Sequence, residues 1–265
     1  MGLFGHRHAL RAAILACGMA WFGSITHSSA GTMDQSGAPE ASGPSAEPFG
    51  ISVIPISAGG LRDKWLGVAH KLDDEGVQLA LCDGDRDNCA SSAALHFLAI
   101  VDGGRARNGR ARLGEINRAI NLAIHPMSDL AQYGEIDVWS SPLVTFYRGA
   151  GDCEDYAIAK YMALREAGIG PEDLRIVIVR DTLAGEDHAV TAARLDGHWL
   201  MLDNRRMAMI EDNYMRNIRP LFVIGQSGLM KYADPPLLAG LPAPNSPIPS
   251  GTDPAIQPGL IAASN

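Results

Sequence analysis

The chain has 265 residues, 46% of them apolar, and its 30 acidic side chains outnumber 22 lysines and arginines to give a formal charge of −8. That balance excludes an electrostatic nucleic-acid binder, and the one arginine-rich stretch, residues 105–118, reads as a solvated loop and helix face. The length leaves room for one ordinary domain with a sizeable core.

Residues 1–30 read as an export signal. His6, Arg7, His8 and Arg11 precede an apolar run over residues 12–25, and Ser28-Ser29-Ala30 supplies small residues where a signal peptidase cuts. The run is too short for a stable membrane anchor, so the expected product is periplasmic and not an integral membrane protein. A competing reading makes Leu15-Ala16-Cys17-Gly18 a lipoprotein cleavage site with Cys17 acylated. It ranks second because apolar residues continue past Cys17. Residues 31–50, rich in Ser, Gly, Pro and Ala, read as a disordered linker, and residues 234–265 as a proline-rich disordered tail. The domain is expected over residues 51–233.

Its first half is helical by pattern. Residues 61–72, 91–101 and 113–124 carry apolar side chains at three- and four-residue intervals, and His125-Pro126 ends the last of these. Between the first two, Cys82 and Cys89 bracket an acidic turn and are expected to close it as a disulfide in an oxidising compartment. Asp83, Asp85 and Asp87 imitate the opening of an EF-hand loop, but Asn88 stands where glycine is required and Ala94 where glutamate is. The turn is therefore read as solvated. Cys153 is left as the odd thiol.

The stretch around it reads Gly149-Ala150-Gly151-Asp152-Cys153-Glu154-Asp155-Tyr156, a glycine-rich loop running into a helix. Ala157, Ile158, Tyr161, Met162 and Leu164 mark one helix face, with Lys160, Arg165 and Glu166 on the other and Gly168 as the stop. Asp152 is the N-cap candidate, which makes Cys153 the first helical residue. A sulfur beside unpaired helix amides is expected to have a lowered pKa and to act as a nucleophile. The bland alternative, a small buried apolar cysteine, needs neither the loop nor the charges.

Beyond Gly168 the period changes to that of strands, over residues 174–179, 189–195, 199–202 and 221–224. Helices followed by an antiparallel sheet predict an α+β domain, with the cysteine-bearing helix packed on the sheet. Asp196-Gly197 is a two-residue hairpin turn. If Leu195 pairs with His198, position 190 faces 203, and His188 and Asp203 become diagonal neighbours on one face. A one-residue slip would send Asp203 to the opposite face. Cys153 as nucleophile, His188 as general base and Asp203 as the group that orients the imidazole then form a triad, with the Cys153 amide as one oxyanion donor. His198 has the wrong parity, His70 and His96 sit within helical runs, and His125 abuts a proline.

The run 151–161, followed by Asp187-His188-Ala189-Val190, Leu202-Asp203-Asn204 and the earlier Trp139-Ser140-Ser141-Pro142, resembles the bacterial transglutaminase-like cysteine proteinases, the family of the periplasmic LapG-type adhesin-releasing proteases. The resemblance covers about residues 110–225. It implies a papain/transglutaminase-like fold and a hydrolase that is exported and calcium-dependent, with Cys153, His188 and Asp203 as its triad. It also implies a large surface adhesin as substrate, a role in biofilm release, an inner-membrane cyclic-dinucleotide receptor as partner, and Ca²⁺ ligands among Asp152, Glu154 and Asp155.

Three carboxylates beside a thiol should raise its pKa, and a bound Ca²⁺ would relieve that conflict. Otherwise Asp152 caps the helix, Asp155 reaches back to it and Glu154 faces water. Arg205 and Arg206 either shape a substrate cleft or form a solvated turn. The same triad could also pass its acyl group to an amine, as transglutaminases do, or the fold could serve as a non-catalytic periplasmic binding module. A metal centre on Cys153 and His188 lacks the paired-ligand spacing of zinc sites.

Overall fold

The structure, a computed structural model, describes residues 47–233. The expected export signal with Cys17, most of the linker and the proline-rich tail lie outside these residues. In chain order the elements are β1 (Val53–Pro55), α1 (Gly60–Gly84), α2 (Ser92–Arg105), α3 (Gly109–Ala123), β2 (His125–Pro126), α4 (Asp129–Tyr133), α5 (Pro142–Arg148), β3 (Ala150–Gly151) and α6 (Cys153–Glu166). There follow β4 (Leu174–Asp181), β5 (Glu186–Leu195), β6 (His198–Leu202), β7 (Ile210–Glu211), β8 (Ile218–Gly225) and β9 (Gly228–Tyr232). This is an α+β fold: seven antiparallel strands in the order β1-β9-β8-β4-β5-β6-β7, with the helices gathered on one face. No helix among the described residues is long and apolar enough to cross a membrane.

Helix α1 runs past the expected residue 72, because Leu79 and Cys82 continue the buried face begun by Trp65, Val68 and Leu72. Cys82 and Cys89 are joined as a disulfide that ties the end of α1 to the approach of α2. Asp83 in that turn is ion-paired to Arg86 and Arg105, so the turn is less free than a solvated loop. The Glu75 carboxylate accepts from the Ser141 hydroxyl and the Leu143 amide, which satisfies the first turn of α5.

Two cores flank the sheet. Phe97, Ile116, Ile120, Ile158, Met162 and Leu164 belong to the one under the helices. On the outer face Val177, Val190, Trp199, Met201 and Tyr232 are covered by Phe49, Ile51 and Val53. The expected linker is therefore corrected over its last residues. Glu47 pairs with Arg175 at 2.7 Å, Phe49 packs edge-on against Tyr232, and its amide donates to Asp212. Their apolar and charged side chains find partners on the sheet that a Ser/Gly/Pro composition does not reveal.

Helix α6 lies between the two layers and is buried along residues 155–164. The small residues Ala157, Ala159 and Ala163 let the sheet and the other helices approach closely. The expectation of Lys160 on a solvated side fails for this reason. With packing on both sides α6 has no solvent face at its middle, and Lys160 is 0% exposed.

Candidate active site

The glycine loop before the cysteine is held by a parallel bridge. The His125 amide donates to the Gly149 carbonyl and that of Met127 to Gly151, so β2 lies along β3. His125 thus pairs in a strand and does not cap α3. Gly151 is needed for close approach, since a Cβ there would stand 2.7 Å from the Asp155 carboxylate. Asp155 is fully buried, and its Oδ1 accepts from the Ser140 amide, which anchors the Trp139-Ser140 segment beside the helix start.

Asp152 occupies the N-cap position of α6, but its side chain makes no capping hydrogen bond. It turns instead toward Glu154 and Asp129. Oxygens of Asp129, Asp152 and Glu154 lie within 4.8 Å of one another. Burial and the neighbouring carboxylates push Asp152 upward, and burial pushes Asp155 up to about 7. Of the residues anticipated around a cation, Asp152 and Glu154 share this cluster, while Asp155 stands outside it. Asp129 takes part without any local sequence signal, brought there by the β2–β3 bridge. Its Oδ2 accepts from the Val138 amide, and its Oδ1, like the Asp152 Oδ1, is buried without a hydrogen-bond partner.

Cys153 is half-buried and its thiol donates to Glu154 Oε2 at 3.0 Å. Burial, then the Glu154 charge, pushes the thiol well above its ordinary value, in the direction expected of its flanking carboxylates and against the lowering expected of the helix terminus. The Ala189 amide, next to His188, opposes this rise. Glu154 therefore faces the sulfur and not water.

The hairpin has the register that its turn predicts. Asp196 and Gly197 both adopt positive φ, 52° and 82°, Leu195 faces His198 and Thr191 faces Leu202. His188 and Asp203, 4% and 2% exposed, meet through Nε2 and Oδ1 at 2.9 Å. Burial raises the Asp203 carboxyl, but His188, the Arg205 amide at 2.9 Å and the Arg206 guanidinium at 3.5 Å together hold it below the usual range. His188 Nδ1 is buried and has no partner.

Cys153 and His188 line one cleft of about 320 Å³, walled by Leu61, Trp139, Ile178 and Phe222. On its other flank Cys153 borders a second depression with Met127, Asn204 and Arg205. Arg205 pairs with Asp181 and Glu186 at this rim, and Arg206 reaches back to Asp203, so neither arginine is a merely solvated turn residue. His198 is exposed and pairs with Glu211, while His96 sits edge-on against Phe146. Asn121, unmarked in sequence, donates to the carbonyls of Asp203 and Arg206.

Compared with known proteins, residues 78–216 match the family described as bacterial transglutaminase-like cysteine proteinase (BTLCP). None of the curated proteins matches. Among solved structures, LapG of Legionella pneumophila is similar at 20% identity and a TM-score of 0.48, over 59% of this chain and 86% of that one. Its calcium-bound form is similar at 22% identity and a TM-score of 0.47, over 56% and 84%.

Proposed function

The chain belongs to the bacterial transglutaminase-like cysteine proteinases, and from that membership we propose that it hydrolyses a protein substrate through Cys153, His188 and Asp203. The observation that carries the residue assignment is the state of the His188 ring. Nε2 is tied to the Asp203 carboxylate, while the buried Nδ1 has no partner beside a cleft that also holds Cys153. Asp203 fixes the tautomer with a proton on Nε2 and leaves Nδ1 as the base. Nδ1 takes the thiol proton, the sulfur attacks the scissile carbonyl, and the proton passes to the departing amine as the thioester forms. Water, deprotonated by the same nitrogen, then releases the acid. The Cys153 amide, first in α6 and without an intrahelical acceptor, is available to the developing oxyanion.

The cluster of Asp129, Asp152 and Glu154 suits a divalent cation with oxygen preference, because it offers converging carboxylates and two unpartnered buried oxygens. Ca²⁺ held there would offset the negative charge that raises the Cys153 thiol. The reading extends to an exported enzyme acting on a large surface adhesin and restrained by an inner-membrane cyclic-dinucleotide receptor. The Cys82–Cys89 disulfide supports the oxidising compartment. The family resemblance supports the rest.

Cys153→Ala tests the proposal. It should lower turnover of a cleaved peptide by roughly 10⁴-fold or more. In the cell it should leave one large surface protein unreleased, as surface and medium proteomics would record. Stable incorporation of a labelled primary amine into a glutamine peptide, without chain cleavage, would instead assign acyl transfer.

A further inference from the structure

One buried charge has no part in the chemistry above. Lys160 sits at the centre of α6, seven residues and two turns after Cys153 and therefore on the same helix face. Its Nζ donates to the Leu202 carbonyl at 3.1 Å, one residue before Asp203, and the ammonium lies 5.8 Å from the Tyr156 ring centroid. The Ala157 carbonyl, on the same face, accepts from Thr191 Oγ1 at 2.7 Å. Helix α6 thus grips both strands of the hairpin, β5 through Thr191 and the end of β6 through Lys160. Asn121 takes the Asp203 carbonyl from the α3 side at 3.1 Å. An ammonium that is 0% exposed costs far more to desolvate than one carbonyl hydrogen bond returns, and a methionine would fill the space without that cost. What a methionine lacks is a donor for Leu202 and a positive charge beside the Asp203 carboxylate.

We propose that Lys160 is a positioning residue of the Cys153–His188–Asp203 site, fixing the end of β6 so that Asp203 meets His188 Nε2 and leaves Nδ1 toward the thiol. The proposal rests on the peptidase reading, and its test separates the two. The full chain is assayed with calcium present on a mixed library of quenched-fluorescence peptides, alongside ¹⁵N NMR of the His188 ring and thermal unfolding. Lys160→Met should lower kcat about 10- to 100-fold with little change in KM, and should blur the single His188 tautomer. Lys160→Gln, which keeps an N–H donor without the charge, should recover part of kcat. Met162→Ala, a core truncation on the same helix, should lower thermal stability and leave kcat alone.

A wild-type chain that cleaves peptides, with Lys160→Met equally active, overturns the Lys160 assignment and spares the peptidase. So does a kcat that Met162→Ala lowers as much as Lys160→Met does for the same loss of thermal stability, or a failure of both Lys160 variants to fold. A wild-type chain that cleaves nothing in the library, with His188 in mixed tautomers, overturns both.

Discussion

At the scale of single residues, the environment of Cys153 is set by a contest between a helix terminus and its acidic neighbours. Burial, and then Glu154 at 3.0 Å from the sulfur, win it. Added Ca²⁺ should therefore raise both thermal stability and the rate of Cys153 alkylation. Asp129→Asn should remove most of the stability gain, which for a ligand at a hundred times its Kd is about 2.7 kcal/mol. An unchanged calcium response in Asp129→Asn counts against the cluster named here. Lys160 has its own signature. Burial drives its pKa from 10.5 to about 7, against the pull of Asp203. Between those two values the unfolded chain holds the proton more tightly than the folded one, so this residue's contribution to stability rises with pH from about 7 to 10.5. Below 7 both states are protonated and the cost of the buried charge is constant. In urea unfolding, the wild type should gain stability relative to Lys160→Met between pH 7 and pH 10; a pH-independent difference would mean that the buried ammonium keeps its proton throughout that range and that its pKa is not depressed.

At the scale of elements, the site depends on how closely loop and helix pack at β3 and α6. An added Cβ at residue 151 meets the Asp155 side chain at 2.7 Å, and Asp155 cannot swing away without dropping the Ser140 amide. Gly151→Ala should cost about 1–3 kcal/mol by overpacking. It should also slow peptide hydrolysis, because Ser140 follows Trp139, a wall of the cleft. Wild-type stability and turnover in this variant would show that the loop has slack that the contacts do not suggest. The hairpin, by contrast, is controlled locally: positive φ at both turn residues sets the register and with it the diagonal that joins His188 to Asp203.

At the scale of the whole molecule, the sheet has two unlike faces. One is covered by helices, the other by the segment around Phe49, pinned by the Glu47–Arg175 pair with side chains only 13% and 10% exposed. Removing Glu47 leaves the Arg175 guanidinium its three backbone carbonyl acceptors but no counter-ion, so Glu47→Ala should lose roughly 3 kcal/mol in chemical denaturation. Because this pair lies on the face opposite α6, peptide hydrolysis at a temperature where the variant stays folded should be unaffected. A fall in kcat without a fall in stability would contradict that separation.

The α+β order of elements, the hairpin register and the meeting of His188 with Asp203 were all legible in the amino-acid sequence. They follow from local periodicity and turn chemistry, which act over a few residues. The length of α1 was harder to read, because Asp73, Asp74 and Glu75 interrupt its apolar pattern while Leu79 and Cys82 resume it. Two features belong to tertiary structure alone: Asp129 beside Asp152, and Lys160 in the core. Each depends on which distant segment packs against α6. A charged residue reads as solvent-facing until the layers on both sides of its helix are known, and only the assembled fold decides that.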